Sequence, residues 1–213
     1  LSKRLKKFGL LKVIGQIFFM AYNNILLKKQ SQKRINEIKH QNNLNDKNID
    51  ESIVLKVSSV NCYETKKILE EYQPDVVVVN GTRIIKKEII ETIDAPFVNI
   101  HAGITPKYRG VHGGYWALTE NDIEHCGVTV HLIDTGIDTG GILYQDVIEI
   151  TDKDTFNTYP YLQTVAAIPL MEKAINDIAN KTYKTRKTDL TSRLWSHPTI
   201  MEYLKYRMLH SVK

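Results

Sequence analysis

Asp75-Val76-Val77-Val78-Val79-Asn80-Gly81, followed by Pro96-Phe97-Val98-Asn99-Ile100-His101, is the stretch from which the fold is read. A continuous β-branched run ending on Asn-Gly predicts a strand buried on both faces over 75–79. The second apolar run predicts another strand over 97–101, and residues 84–93 between them carry helical spacing. Upstream, Ile53 to Val57 predicts a short strand and Tyr63 to Tyr72 a helix entered near Asn61. The alternation of strand and helix implies parallel pairing through right-handed crossovers. The expected class is therefore α/β, a Rossmann-like, mostly parallel sheet flanked by helices.

Working outward, a helix is predicted just beyond Gly114 through Leu118, then strands over 125–133 and 142–150 around a glycine-rich loop. A helical pattern follows from Asp154 to Asn180, where Pro169 predicts a kink or break. The basic, aromatic tail predicts one more short helix over 198–209. At the other end, Leu5, Phe8, Leu11, Ile14, Phe18 and Tyr22 recur at helical spacing, which predicts an amphipathic helix over 3–27 facing a core or a partner. Residues 28–50 are highly polar and read as the end of that helix and an exposed loop. The chain thus divides into a basic helix and polar loop (1–50), a core (51–180) and a helical, aromatic tail (181–213).

The 213 residues suffice for one sizeable core, and the 42% hydrophobic and 25% charged content is that of a globular protein. The net charge of +5 comes partly from the two ends and reads as a solvated basic face, with no nucleic-acid partner expected. No stretch reaches roughly 18 uninterrupted apolar residues, so no membrane span is expected. Cys62 and Cys126 are far apart, without a CxxC or a neighbouring histidine pair. That argues against a disulfide framework or a metal site and makes a reducing cytoplasm the default.

The chemistry gathers at the predicted strand ends, where open parallel sheets bind ligands. Asn99 and His101 alternate to the same side of one strand. Two polar groups on one face of a buried strand need partners, in a structural network or in a site. Asp138 lies between Thr135-Gly136 and Thr139-Gly140-Gly141. Such a carboxylate either caps its own turn, as Asp134 can also do, or is held for chemistry by close backbone approaches. An amide, an imidazole and a carboxylate together can stabilise an oxyanion and move a proton. Pro106 and three glycines suit an ordered loop over a cleft, on which Lys107 and Arg109 are placed to neutralise an anion. Neither GxGxxG nor GxxxxGK[ST] occurs.

Val98-Asn-Ile-His-Ala-Gly-Ile-Thr-Pro-Lys-Tyr-Arg-Gly110, then Gly127-Val-Thr-Val-His131 and Gly136-Ile-Asp-Thr-Gly-Gly-Ile-Leu143, resemble the folate-dependent formyltransferases. That family includes the methionyl-tRNA, glycinamide ribonucleotide and sugar N-formyltransferases. Its pattern is Asn-x-His, a Pro-x-Tyr-Arg-Gly loop and an Asp seven residues after the position of His131; this chain carries all three over roughly residues 53–150. The resemblance implies a formyltransferase fold and transfer of a formyl group from N10-formyltetrahydrofolate to an amine. It implies catalytic roles for Asn99, His101 and Asp138. It places Gly81, Thr82, Arg83, Ile84 and Ile85, with Asp134 and Gly136, around the pterin of the co-substrate. Lys107, Tyr108, Arg109, His112 and Trp116 would then lie on the acceptor side.

Two departures set the remaining expectations. The basic helix stands where the family opens with a strand and a substrate-binding loop, so the first βα unit is expected to be missing or to lie upstream. The stretch after Ile150 is too short for a tRNA-recognising domain, and Leu194-Trp-Ser-His-Pro-Thr199 is more similar to short sugar-modifying relatives. The acceptor expected is an amino sugar, nucleotide-linked, in polysaccharide biosynthesis, with a homodimer as the assembly. Formyl transfer to glycinamide ribonucleotide or methionyl-tRNA, hydrolysis of the formyl donor, and a folate- or nucleotide-binding module without turnover are the alternatives.

Overall fold

The computed structural model describes the backbone of residues 2–213 and the side chains of residues 5–213. Four strands form the main sheet: β1 (Val77–Val79), β2 (Phe97–His101), β4 (Gly127–Leu132) and β5 (Ile142–Val147), in the order β1-β2-β4-β5. Two-residue strands β3 (Arg109–Gly110) and β6 (Leu194–Trp195) pair separately and parallel, joining the loop after β2 to the C-terminal tail. The β1/β2 ladder is parallel, as expected of a crossover through the short helix α5 (Lys87–Ile90). The β2/β4 and β4/β5 ladders are antiparallel, so the share of parallel pairing is lower than the sequence suggests. The α/β layering itself is as read: α7 (Tyr159–Ala179) packs Met171, Ala174 and Ile178 on Val98, Val130 and Leu143 of the sheet.

Several elements differ from expectation. Ile53 to Val57 is not a strand: a 3-10 turn at Glu51–Ile53 leads into exposed irregular chain, and Ile53 is 74% exposed. β-branched residues fit a pleated surface only where a neighbour completes the ladder. Helix α5 is shorter than predicted because residues 81–85 run in irregular backbone along a cavity. Pro169 does not break α7, which runs through it while its inner face stays packed on the sheet. The segment 154–158 precedes that helix. Helices α4 (Tyr63–Tyr72), α6 (Gly113–Thr119) and α8 (Ile200–Leu209) form close to where they were read. Thr199 and Glu202 make a reciprocal capping box at the start of α8.

The N-terminal region departs most. Helix α1 (Ser2–Phe8) meets α2 (Leu10–Tyr22) at Gly9, and α2 continues through a π-helical turn (Asn23–Leu27) into α3 (Lys28–Gln41). The predicted loop therefore begins only after residue 41. Its polar composition hid a buried stripe, Ser31, Ile35 and Ile38, at helical spacing. Arg34 of α3 donates from Nε and Nη2 to the two oxygens of the buried Asp154 carboxylate, at 2.8 and 3.3 Å. Burial acts to raise Asp154, but Arg34 and Thr151 overcome it and hold the carboxyl below its ordinary value. In α2 the inward stripe is Val13, Gln16 and Phe19, not the predicted one; Leu11 and Phe18 are exposed. Residues 10–41 form one helix long and apolar enough, by length and composition, to cross a membrane. Phe19 joins Tyr108, Tyr115, Trp116, Phe156, Trp195 and Tyr203 in an aromatic core that binds both chain ends to the sheet.

Candidate functional site

The carboxyl ends of β1 and β2 and the loop after β4 open onto one cavity of about 840 Å³. Strand pairing explains its polar floor. In the β2/β4 ladder, Asn99 sits opposite His131 and His101 opposite Thr129, so alternation turns these four toward one face. Asn99, His101 and His131 all line the cavity, with Asp138 above them on the glycine-rich loop.

Hydrogen bonding assigns each group. His101 is buried; its Nε2–H donates to the Tyr108 carbonyl oxygen at 2.6 Å. That leaves Nδ1 as the nitrogen able to exchange a proton, and it lies 3.4 Å from Asp138 Oδ2. The same Oδ2 accepts the Gly110 N–H at 2.8 Å, which fixes the carboxylate against the 105–110 loop. Asp138 holds a left-handed backbone (φ 52°), a conformation Asp tolerates better than most residues. The local turn is capped by Asp134 instead, whose Oδ1 accepts from Gly136 N–H at 2.9 Å and from the Thr139 hydroxyl at 2.6 Å. Of the two readings of Asp138, the structure therefore favours a carboxylate reaching across the cavity. His131 donates from Nδ1 to the Leu132 carbonyl at 2.7 Å, so its Nε2 accepts from Asn99 Nδ2 at 3.2 Å. Burial, the largest influence, keeps His131 below the ordinary imidazole value, so it stays neutral and orients the Asn99 amide.

The seven residues expected around a pterin, Gly81, Thr82, Arg83, Ile84, Ile85, Asp134 and Gly136, all line this cavity. Their irregular backbone is not used up in a ladder, and Val79, Ile85 and Ile133 add an apolar wall, which fits a flat heterocycle with a polar edge. The five residues expected on the acceptor side do not line it. Lys107 Nζ pairs with Asp122 Oδ2 at 2.6 Å, and the Tyr108 hydroxyl donates to the same carboxylate at 2.6 Å. Arg109 donates to the Ile137 carbonyl at 2.9 Å, clamping the two loops together. Trp116 is core, stacked on Trp195 with centroids 4.7 Å apart. These residues shape the site from behind it. Further lining of the cavity comes instead from Lys7, Phe8, Lys12, Gln16, Trp195, Ser196 and His197. Sequence reading missed that group, since no local pattern links the two chain ends. It also passed over His131, although strict alternation in 127–132 placed it.

His112 packs against Phe156 and lies 3.0 Å from His197 through their ring nitrogens. Burial, and secondarily the neighbouring His197, depress it to about 3. A histidine depressed in the folded state binds its proton more readily when unfolded, so its contribution is full above the unfolded value near 6.5 and falls below it. The chain is expected to lose roughly 2 kcal/mol between pH 6.5 and pH 5 through this one residue. Denaturant unfolding of His112→Asn across that range should show a shallower pH slope than the parent. Parallel slopes would remove the assignment.

Residues 21–165 match the family model described as formyl transferase. The chain is 37% identical over 111 residues to a methionyl-tRNA formyltransferase of Thermodesulfovibrio yellowstonii, covering 52% of this chain and 36% of that one. It is 40% identical over 110 residues to a methionyl-tRNA formyltransferase of Nitratiruptor sp., covering 51% and 35%. It thus spans about a third of the length of these curated relatives. In fold it is similar to a sugar N-formyltransferase from Shewanella sp. (TM-score 0.54, 23% identity, 64% of this chain and 54% of that one). A 4-N formyltransferase from Francisella tularensis is similar too (TM-score 0.52, 22% identity, 67% and 56%). With the matched segment holding Asn99, His101 and Asp138 in one cavity, the chain belongs to the formyl transferase family.

Proposed function

We propose that this chain transfers a formyl group from N10-formyltetrahydrofolate to the amine of a nucleotide-linked amino sugar, through a tetrahedral intermediate. The observation that carries the reading is the convergence of Asn99, His101 and Asp138 on the cavity that residues 81–85 and 134–138 also line. A neutral amine is already a nucleophile, so the site needs oxyanion stabilisation and a route for one proton. Asn99 keeps a second amide hydrogen beyond the one given to His131, and His101 stands beside it on the same strand. His101 Nδ1 takes up or relays the proton, and Asp138 stabilises the charge that this creates. The co-substrate supplies the formyl group when bound; the chain supplies orientation, charge and proton transfer.

A small acceptor is supported by the C-terminal tail, which pairs β6 with β3 and brings Trp195 to His197 into the cavity wall. Both cysteines are free thiols, which supports a cytoplasmic setting. A charged initiator tRNA is the second reading, favoured by the identity to methionyl-tRNA formyltransferases. The test incubates the full chain with N10-formyltetrahydrofolate and panels of nucleotide-linked amino sugars and charged tRNA, following tetrahydrofolate release and product mass. Sugar-dependent release is expected. Release only with tRNA moves the conclusion to the second reading, and release without any amine makes the chain a hydrolase.

A further inference from the structure

The cavity that residues 81–85 line also carries positive charge from the N-terminal helices. Lys7 and Lys12 both line it, and their ammonium groups lie 5.3 and 5.8 Å from the centre of the Phe8 ring, also on the wall. Neither has a carboxylate within ion-pair distance among the described residues, and no Asp or Glu precedes Glu37 in the sequence. The acidic residues of the cavity, Asp134 and Asp138, sit on the 134–138 loop and are engaged there by Gly136, Thr139 and Gly110. Lys12 is half-buried. One turn further along the same helix, the buried Gln16 amide donates to the His197 carbonyl at 2.7 Å and anchors this helix to the C-terminal tail. The cation–π contacts with Phe8 hold the two ammonium groups at the wall.

We propose that Lys7 and Lys12 form a subsite for an anionic group, phosphate or carboxylate, of a molecule bound in the cavity. Lys7 is exposed and Lys12 half-buried; two like charges beside one aromatic ring, without a carboxylate counter-ion among the described residues, are compensated when an anion enters. On the reading above, one source of such an anion is a phosphate of the acceptor; the other source of the same chemistry is the glutamate tail of the folate donor. The inference deepens the reading above and rests on it only for the identity of the bound molecule.

The test is a binding titration by calorimetry, with no turnover required, using inorganic pyrophosphate, UDP, and tetrahydrofolate as mono- and triglutamate. For the double variant Lys7→Ala/Lys12→Ala, pyrophosphate and UDP are expected to bind about tenfold more weakly, with a shallower salt dependence. Lys7→Arg/Lys12→Arg should retain most of the affinity, and Lys66→Ala, on the remote helix α4, should change nothing. If only the advantage of triglutamate over monoglutamate disappears, the subsite stands and its anion belongs to the donor. If every anion binds the double variant within twofold of the parent, the subsite is overturned. A parent chain that binds pyrophosphate through these lysines yet formylates nothing keeps this inference and removes the proposed function.

Discussion

On the proposed formyl transfer, replacing Asp138 by Asn is expected to lower the rate by about 10² to 10⁴-fold while the fold and donor binding persist. The geometry separates the two duties of this carboxylate. Its Oδ2 accepts the Gly110 N–H, a bond that the amide oxygen of Asn can also accept, so the loop stays in place. What Asn cannot provide is the negative charge beside His101 Nδ1, 3.4 Å away, where a proton taken from the amine would make a cation. The ring cannot escape by turning, because Nε2 is committed to the Tyr108 carbonyl. The loss therefore falls on kcat and not on the donor's binding. Single-turnover rates and a donor titration on the same preparation check this. A rate within fivefold of the parent, with unchanged circular dichroism, would sink the role given to Asp138.

Gly110→Ala is expected to cost roughly 3–4 kcal/mol of stability, lowering Tm by roughly 10 °C. Gly110 has φ 97°, where side chains are strained, and a Cβ there would stand 2.3 Å from the Trp195 carbonyl oxygen. Backbone must move, and the backbone in question is the β3/β6 pairing that carries Trp195 to His197 into the cavity wall. The same residue donates the N–H that anchors Asp138. Stability and transfer rate should thus fall together, with activity reduced even well below Tm. Gly9→Ala is the control: Gly9 also has a positive φ (78°), but nothing lies within 4 Å of its added Cβ. It should cost only backbone strain, about 1–3 kcal/mol, since φ 78° with ψ 162° is a conformation essentially restricted to glycine, and leave the rate alone. Thermal unfolding of both variants decides the matter; a Gly110→Ala midpoint within 2 °C of the parent contradicts the clash.

Much of the floor of the site was legible because it is written in short-range patterns. The period-2 alternation through Asn99, Ile100 and His101 put two polar groups on one side, and both line the cavity. The runs 75–79 and 97–101 hold strands that pair parallel, as their βαβ spacing demands, but β1 covers only Val77–Val79 and, at the edge of the sheet, leaves Val78 exposed where burial on both faces was expected. Other readings failed where composition stood in for packing. Residues 28–41 look solvated, yet Ser31, Ile35 and Ile38 form a buried stripe and Arg34 neutralises a buried carboxylate. Ile53 to Val57 look like a strand, yet no neighbouring strand completes a ladder there. Lys107 and Trp116 carry the right chemistry for substrate contact but spend it on Asp122 and on Trp195.

By itself the sequence determined the strands of the sheet, the shared direction of Asn99 and His101, and the glycine-rich loop that bears Asp138. Each follows from spacing within a dozen residues, where backbone geometry leaves few choices. Only the tertiary structure decided which carboxylate reaches His101, that His131 orients Asn99, and that residues from the two ends of the chain line one cavity. The physical reason is separation along the chain. The bond from Gln16 to His197 joins residues 181 positions apart, and Gly110 pairs with Trp195, 85 positions further along. Such contacts are selected by the burial of the aromatic core between them, not by any local preference, so they exist only once the whole chain has closed around it.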